Sequence, residues 1–318
     1  MSVLSRPYFH CEAAAFEHVE EMLWPNGPHC PHCGNAGKIY ELKGVRSKPS
    51  KKNPEGVERH GLKKCAECRK QFTVRIGTIF EESHIPLHKW LQAIYLMCSS
   101  EKGISSNQLA RVLEITVKSA WFLSHRIREA MRSDDLTPMG GAGQFVEVDE
   151  TFIGNDRTVK PKHAKKGRGY AHKHKVLALV NREGKARSLV VDDLKASTLT
   201  PILKDNIAVE TRVITDEAGQ YKNLNREFEH DFVRHGQGEY GRGEIHTNTI
   251  EGYFSIFKRG MKGTYQHCAK KHLHRYLAEF DFRYNNRIKL GVDDKAQATV
   301  ALAGAMQKRL MYRDSSLA

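Results

Sequence analysis

The apolar positions change character part-way along the chain. From about Leu87 they recur at helical spacing, first in LHKWLQAIYLMC, then in SSNQLARVLEI and TVKSAWFLSHRIREAMR. Each of the last two segments opens on a Ser or Thr of capping type, and a turn near Glu114–Thr116 separates them. The β-branched stretch FTVRIGTIF just ahead of these helices predicts a strand pair. Farther on, the apolar runs become short and β-rich. Residues 144–150, 174–181 and 186–192 predict three strands, with NREG at 181–184 as a tight turn between the last two. LKASTLTPILKDNI returns to helical spacing, with Ser197 and Thr198 placed to cap it. ETRVITD and FEHDFVRH predict two further strands, and NTIEGYFSIFKRGMKG an amphipathic helix. HLHRYLAEFDFRYNNR follows as one long helix, whose Leu273, Tyr276, Leu277 and Phe280 form a packing stripe.

Three acids punctuate this β-rich part of the chain and the helix after it. Asp149 in QFVEVDETF and Asp216 in TRVITDEAG close β-branched runs and are expected at strand ends; Glu251 lies in the amphipathic helix. Carboxylates gathered from separate elements repel one another unless a cation lies between them. Hard oxygen ligands suit Mg²⁺ or Mn²⁺, and two such ions support an in-line phosphoryl displacement. Any three acids can be lined up by chance, but the setting of this trio is specific. Three strands, helix, strand, helix, strand, helix is the ribonuclease H-like (RNase H-like) order, with the acids on its first strand, fourth strand and final helix. Lys258 follows Glu251 by two helical turns on one face, which puts an ammonium where a scissile or flanking phosphate would lie. The expected class is α/β (α+β overall): an RNase H-like core preceded by a zinc ribbon and a small helix-turn-helix-like helical module.

The ribbon is read from Cys30-Pro-His-Cys33 and Cys65-Ala-Glu-Cys68, two knuckles that complete one tetrahedral Zn²⁺ site. The interval between them is long because of residues 43–60, KGVRSKPSKKNPEGVERH, a polar and basic loop insertion. A redox CxxC needs no second pair and normally follows a strand in a βαβ unit, so structural zinc is the better reading. His29 and His32 flank the first knuckle as neighbours rather than ligands. Cys11, Cys98 and Cys268 stand alone as small apolar residues. An odd total of seven cysteines argues against a disulfide framework and for a reducing, cytoplasmic setting.

Charge narrows the partner. A formal net charge of +14 favours a polyanion, and no 18-residue apolar run or signal peptide points to a membrane. In the helix-turn-helix reading, the second helix enters a major groove with Lys118, Ser119, His125, Arg126 and Arg128. The rival reading is a packing module with Trp121, Phe122 and Ile127 in its core. Between Arg157 and Lys175 lie eight Lys or Arg and no acid. Lys165, Lys166 and Arg168 in that run are candidate phosphate contacts, and a solvated loop is the compatible alternative. His272, Arg275 and Tyr284 look superficially like a tyrosine recombinase, but on one helix Tyr284 lies about 13 Å from Arg275 along the axis, too far to attack a phosphate held there.

The chain resembles the DDE-type insertion-sequence transposases of the ISXO-two-like group. The resemblance rests on WPNGPHCPHCG, FVEVDETFIG, VITDEAGQY, HTNTIEGYFSIFKRGMKGTYQH and HLHRYLAEFDFRYNNR, and is most specific from His246 to Arg287. It implies a metal-dependent enzyme that hydrolyses the phosphodiester at element ends and transfers the freed 3′-hydroxyl to target DNA. Asp149, Asp216 and Glu251 are the matching acidic positions, holding two Mg²⁺ or Mn²⁺ ions. Some relatives use an Asn as third ligand, which makes Asn248, on the same helix face, the second choice. Glu251 is preferred because a charged ligand balances a divalent ion better. The expected layout is 1–80 N-terminal helix and zinc ribbon, 81–135 helical DNA-binding module, 140–295 catalytic domain and 296–318 tail. Expected partners are double-stranded DNA, as element ends and as target, and further copies of the chain on that DNA. Two alternatives are a zinc-ribbon DNA-binding regulator with an inactive core, against which the complete trio and Lys258 argue, and a structure-specific nuclease.

Overall fold

Helix α1 (Glu12–Leu23) begins the first of two units that the chain forms in the computed structural model, which describes residues 2–51, 53–154 and 172–311. This unit comprises residues 1–100, 104–131 and 293–318. α1 buries one stripe, Ala15, Phe16, Val19 and Leu23. The ribbon follows as β1 (Ile39–Glu41), β2 (Lys63–Cys65) and β3 (Gln71–Phe72), antiparallel in that order. The insertion at 43–60 is an exposed hairpin rather than an open loop: Ser47 N–H donates to the Val57 carbonyl and Arg59 N–H to that of Val45, both at 2.8 Å. Of the strand pair expected in FTVRIGTIF, only β3 forms. Gly77, at φ +75°, turns the chain, and Thr78 makes a single bridge to Met306.

α2 (Leu87–Cys98) starts after Pro86, which has no side chain to cap it. Glu12 substitutes, accepting from the backbone N–H groups of Leu87 (2.8 Å) and His88 (3.2 Å). α3 (Ser106–Leu113) and α4 (Val117–Met131) are capped as their sequences predict: the Ser105 hydroxyl accepts from Gln108 N–H and that of Thr116 from Ser119 N–H. Between them Glu114, at φ 50°, makes the turn.

The second unit, residues 101–103 and 132–292, is built on a five-stranded sheet. Its elements are β4 (Phe145–Ile153), β5 (His174–Asn181), β6 (Ala186–Val191), α5 (Ala196–Asn206), β7 (Arg212–Asp216) and β8 (Glu229–Val233). A small hairpin, β9 (Gly241–Arg242) and β10 (Ile245–His246), then leads into α6 (Asn248–Gly260) and α7 (Lys270–Asn285). Strand order is β6-β5-β4-β7-β8, with β5 antiparallel to both β4 and β6, and β7 parallel to both β4 and β8. This is the RNase H-like arrangement. Side-chain alternation gives each face its cover: Val146, Val148, Leu177 and Leu179 pack with Leu199 and Leu203 of α5, and Val176, Ala178 and Val180 with α6 and α7.

Two details depart from expectation. No helix joins β7 to β8; two 3-10 turns, Gly219–Tyr221 and Leu224–Arg226, make the connection and bury Tyr221 and Leu224. α5 is not capped by Ser197 or Thr198, which lie inside it; the Asp193 carboxylate accepts from Lys195 N–H at its start. α8 (Asp294–Ala303) returns to the first unit and packs against α1, α2 and α4. Among the described residues, no helix is long and apolar enough to cross a membrane.

Candidate active site

Pairing between the parallel strands β4 and β7 runs from Phe145↔Arg212 to Glu147↔Ile214. Two residues farther along each strand stand Asp149 and Asp216, level with one another where the strands part. β4 continues against β5 as far as Ile153↔His174, so Asp149 sits mid-strand rather than at a strand end; Asp216 is the last residue of β7. Burial raises the Asp149 carboxyl to about 7; the Glu150 N–H bonded to it and Lys258 oppose the rise, and the charges of Glu150 and Asp216 add to it. Asp216 is fixed by accepting from Ala218 N–H at 3.0 Å. Glu150 projects to the other face of β4, where Tyr221 and Gln220 donate to it.

α6 carries the remaining candidates. Asn248 opens it and is exposed; Glu251 is in the first turn, its side chain half exposed. Glu251 accepts from the Thr247 hydroxyl (3.1 Å) and lies 3.6 Å from His235 Nε2. Lys258, two turns on, lies over the Phe254 ring and within electrostatic reach of Asp149. The structure thus brings Asp149, Asp216 and Lys258 together. Among the described residues, no three carboxylates converge to within 4.8 Å; the four cysteines are the one His, Cys, Asp or Glu group that does.

Those cysteines are Cys30, Cys33, Cys65 and Cys68, with sulfurs 3.6 Å apart in the Cys30–Cys68 pair and 3.7 Å in the Cys33–Cys65 pair. A tetrahedron with Zn–S bonds of about 2.3 Å has edges of about 3.8 Å, so the cluster fits Zn²⁺. The Asn35 amide donates to Cys65 Sγ and, with the backbone N–H groups of the knuckle, lowers that thiol to about 6. His29 packs edge-on against Trp24 and His32 is exposed, and neither belongs to the cluster.

Residues 140–285 match the ISXO2-like transposase domain and residues 10–71 the transposase zinc-ribbon domain. The chain thus carries an ISXO2-like transposase domain preceded by a transposase zinc ribbon. It is 28% identical over 233 residues to a protein in transposable element ISH50 of Halobacterium salinarum, covering 69% of this chain and 76% of that one. A transposase-like protein of Haemophilus influenzae is 27% identical over 103 residues, 32% of this chain and 82% of that one. Among solved structures, the Mos1 transposase paired-end complex with left transposon end matches at 10% identity and a TM-score of 0.29, over 68% of this chain and 78% of that one. The fold assignment rests on the strand order rather than on that distant likeness.

In this transposase the DNA-binding candidates on α4 divide. Lys118 is exposed and Ser119 partly so, at the helix start. Arg126 and Arg128 are buried, 4% and 1% exposed, and cannot reach a base edge from there. Arg126 donates to the Glu81 carbonyl at 2.6 Å and stacks between Trp90 and Phe122, while Arg128 bonds the Ser124 hydroxyl. The expectation that these two arginines read DNA is therefore corrected: burial gives them a packing role. Lys165, Lys166 and Arg168 lie outside the described residues. Of the lone cysteines, Cys98 is buried as expected but Cys11 is exposed.

One residue of the transposase site went unread in the sequence. Glu147, two positions before Asp149 on the same strand face, is wholly buried. Its signal was present: an acid at an inward position of a strand must be paired.

Proposed function

We propose that this transposase binds Mg²⁺ or Mn²⁺ through Asp149, Asp216 and Glu251, cuts the phosphodiester at element ends, and joins the freed 3′-hydroxyl to target DNA. The observation that carries this reading is the pair Asp149 and Asp216, level on adjacent parallel strands, one held near half ionisation by burial and by the other's charge. Lys258 offsets only part of the rise at Asp149, so the pair still suits a hard divalent ion. Bound there, two ions would activate the attacking oxygen and neutralise the leaving one. The carboxyl of Asp149 gives up its proton on binding, Lys258 holds a non-bridging phosphate oxygen, and Glu251 supplies the third carboxylate, with Asn248 as second choice. Lys118 and Ser119 at the start of α4 contact the element ends, and the four-cysteine cluster holds one structural zinc. Copies of the chain assemble on DNA, since joining an element requires both its ends in one complex.

A cleavage assay on end-containing duplex tests the assignment. Asp149→Ala, Asp216→Ala and Glu251→Ala are each expected to abolish cutting and leave DNA binding near normal, because the ions serve the transition state. Activity kept by Glu251→Ala and lost in Asn248→Ala would move the third ligand to Asn248. If all three acid variants still cut, the site is elsewhere. A regulator with an inactive core is the second reading, favoured by Glu251 bonding Thr247 and lying beside His235 rather than converging with the other acids; it predicts no cutting by the unmodified chain.

A further inference from the structure

We infer that Glu147 is a positioning residue that sets the first turn of α6, and with it Glu251, against Asp149. The inference rests on the metal-site reading above. The Glu147 side chain has no solvent exposure. Its Oε1 accepts from the Thr249 hydroxyl at 2.8 Å and its Oε2 from Ile250 N–H at 2.9 Å. Arg182 Nε at 3.5 Å and His246 Nδ1 at 3.3 Å approach Oε1 from other elements. Arg182 also stacks on Phe145 at 4.3 Å and donates to the Glu244 carbonyl, so the β9–β10 hairpin is tied to the same carboxylate.

α6 has no cap of its own, because Thr247 makes no side-chain capping bond. Glu147 caps it from the sheet. The shortest bonded route between the two proposed ligands is then Asp149–Val148–Glu147, one hydrogen bond, Ile250–Glu251. Stability alone does not call for an acid here, since apolar residues commonly replace buried ion pairs at no loss. What a carboxylate with several partners fixes, and an apolar contact does not, is the depth and angle of a helix end. Outer groups of this kind hold metal ligands in place.

Mn²⁺ binding to the full chain without DNA, read by electron paramagnetic resonance, tests the inference alongside cleavage at varied Mn²⁺ and amide exchange at residues 249–252. Glu147→Gln puts an amide against Ile250 N–H or Arg182. It should weaken Mn²⁺ binding about 10- to 100-fold and quicken exchange in that turn, while saturating Mn²⁺ restores most of the cleavage rate. Thr249→Val, which removes a single contact, should shift both in the same direction by less, and decides the matter if Glu147→Gln does not fold. Folded variants with native Mn²⁺ affinity overturn the inference, as does a lowered melting temperature with native affinity, the mark of a merely structural role. Asp149→Asn separates the two levels. If it loses Mn²⁺ while Glu147→Gln and Thr249→Val keep it, positioning alone fails; if it binds Mn²⁺ normally, the metal-site reading fails and the inference with it.

Discussion

Asp149 holds a proton that an ordinary aspartate would have lost. Its carboxyl, raised from 3.8 to about 7, is protonated in the folded chain at pH values where the unfolded chain is ionised. In the metal-free protein its contribution to stability therefore falls as pH rises from about 4 to about 7, and a bound cation removes that loss. Metal binding must expel the proton below about pH 7 and has none to expel well above it. Mn²⁺ affinity is thus expected to be about tenfold weaker at about pH 6 than at about pH 8. Calorimetry in buffers of different ionisation enthalpy should find close to one proton released per site at the lower pH. Affinity that does not change across this interval would mean that Asp149 is not a ligand. Lys258 opposes the rise, so Lys258→Ala should move the transition to higher pH.

At the scale of elements, the block HLHRYLAEFDFRYNNR has a geometric explanation that its apolar stripe did not reveal. β6 is an edge strand, and α7 closes its outer side with two side chains. Asn285 accepts from Ala186 N–H at 2.6 Å and donates to the Ala186 carbonyl at 3.0 Å. Asp281 accepts from Ser188 N–H at 2.8 Å, from the Ser188 hydroxyl at 2.9 Å and from the Tyr253 hydroxyl at 2.6 Å. Four helical residues rise about 6 Å and two strand residues about 6.7 Å, so the spacings match. Asn285→Ala leaves an edge pair unmet and should lower stability by about 1–3 kcal/mol in urea unfolding, with the slope unchanged. Helical and strand periods were legible because each follows from side-chain alternation along one element. Pairings such as Asp281 with Ser188, or Glu147 with Ile250, join positions far apart in the chain and leave no periodic trace. The same limit misled the reading of α4, where Arg126 and Lys118 look alike in sequence. Arg126→Ala should lower the stability of the first unit without altering preference for element ends. Lys118→Ala should erode that preference, in a footprint at fixed salt, with stability unchanged. Equal end preference in both variants would leave the zinc ribbon as the reader of DNA.

For the molecule as a whole, two units with different sources of stability imply different responses to metal removal. The second unit rests on a five-stranded sheet covered on both faces by apolar side chains. The ribbon in the first unit has three strands of three, three and two residues, too short to hold without a staple. Its apolar support is local: Phe72 against Trp24, with the Lys63 ammonium 2.6 Å from Glu20. Two CxxC knuckles were legible in the sequence because coordination fixes their spacing; the hairpin at 43–60 was not, because Arg46 holds it through the carbonyls of Glu55 and Gly56 rather than through any motif. Metal analysis should return about one zinc per chain, and ionised thiolates from Cys30, Cys33, Cys65 and Cys68 should account for it. A strong chelator should abolish amide-exchange protection from about residue 30 to about residue 72, while the strands from β4 to β8 keep theirs. Without the ion nothing ties one knuckle to the other, so the metal-free ribbon should open rather than persist as a thiol cluster. Protection of the ribbon unchanged after complete zinc removal would show that its packing on α1 suffices, and would reduce the cysteines to a core.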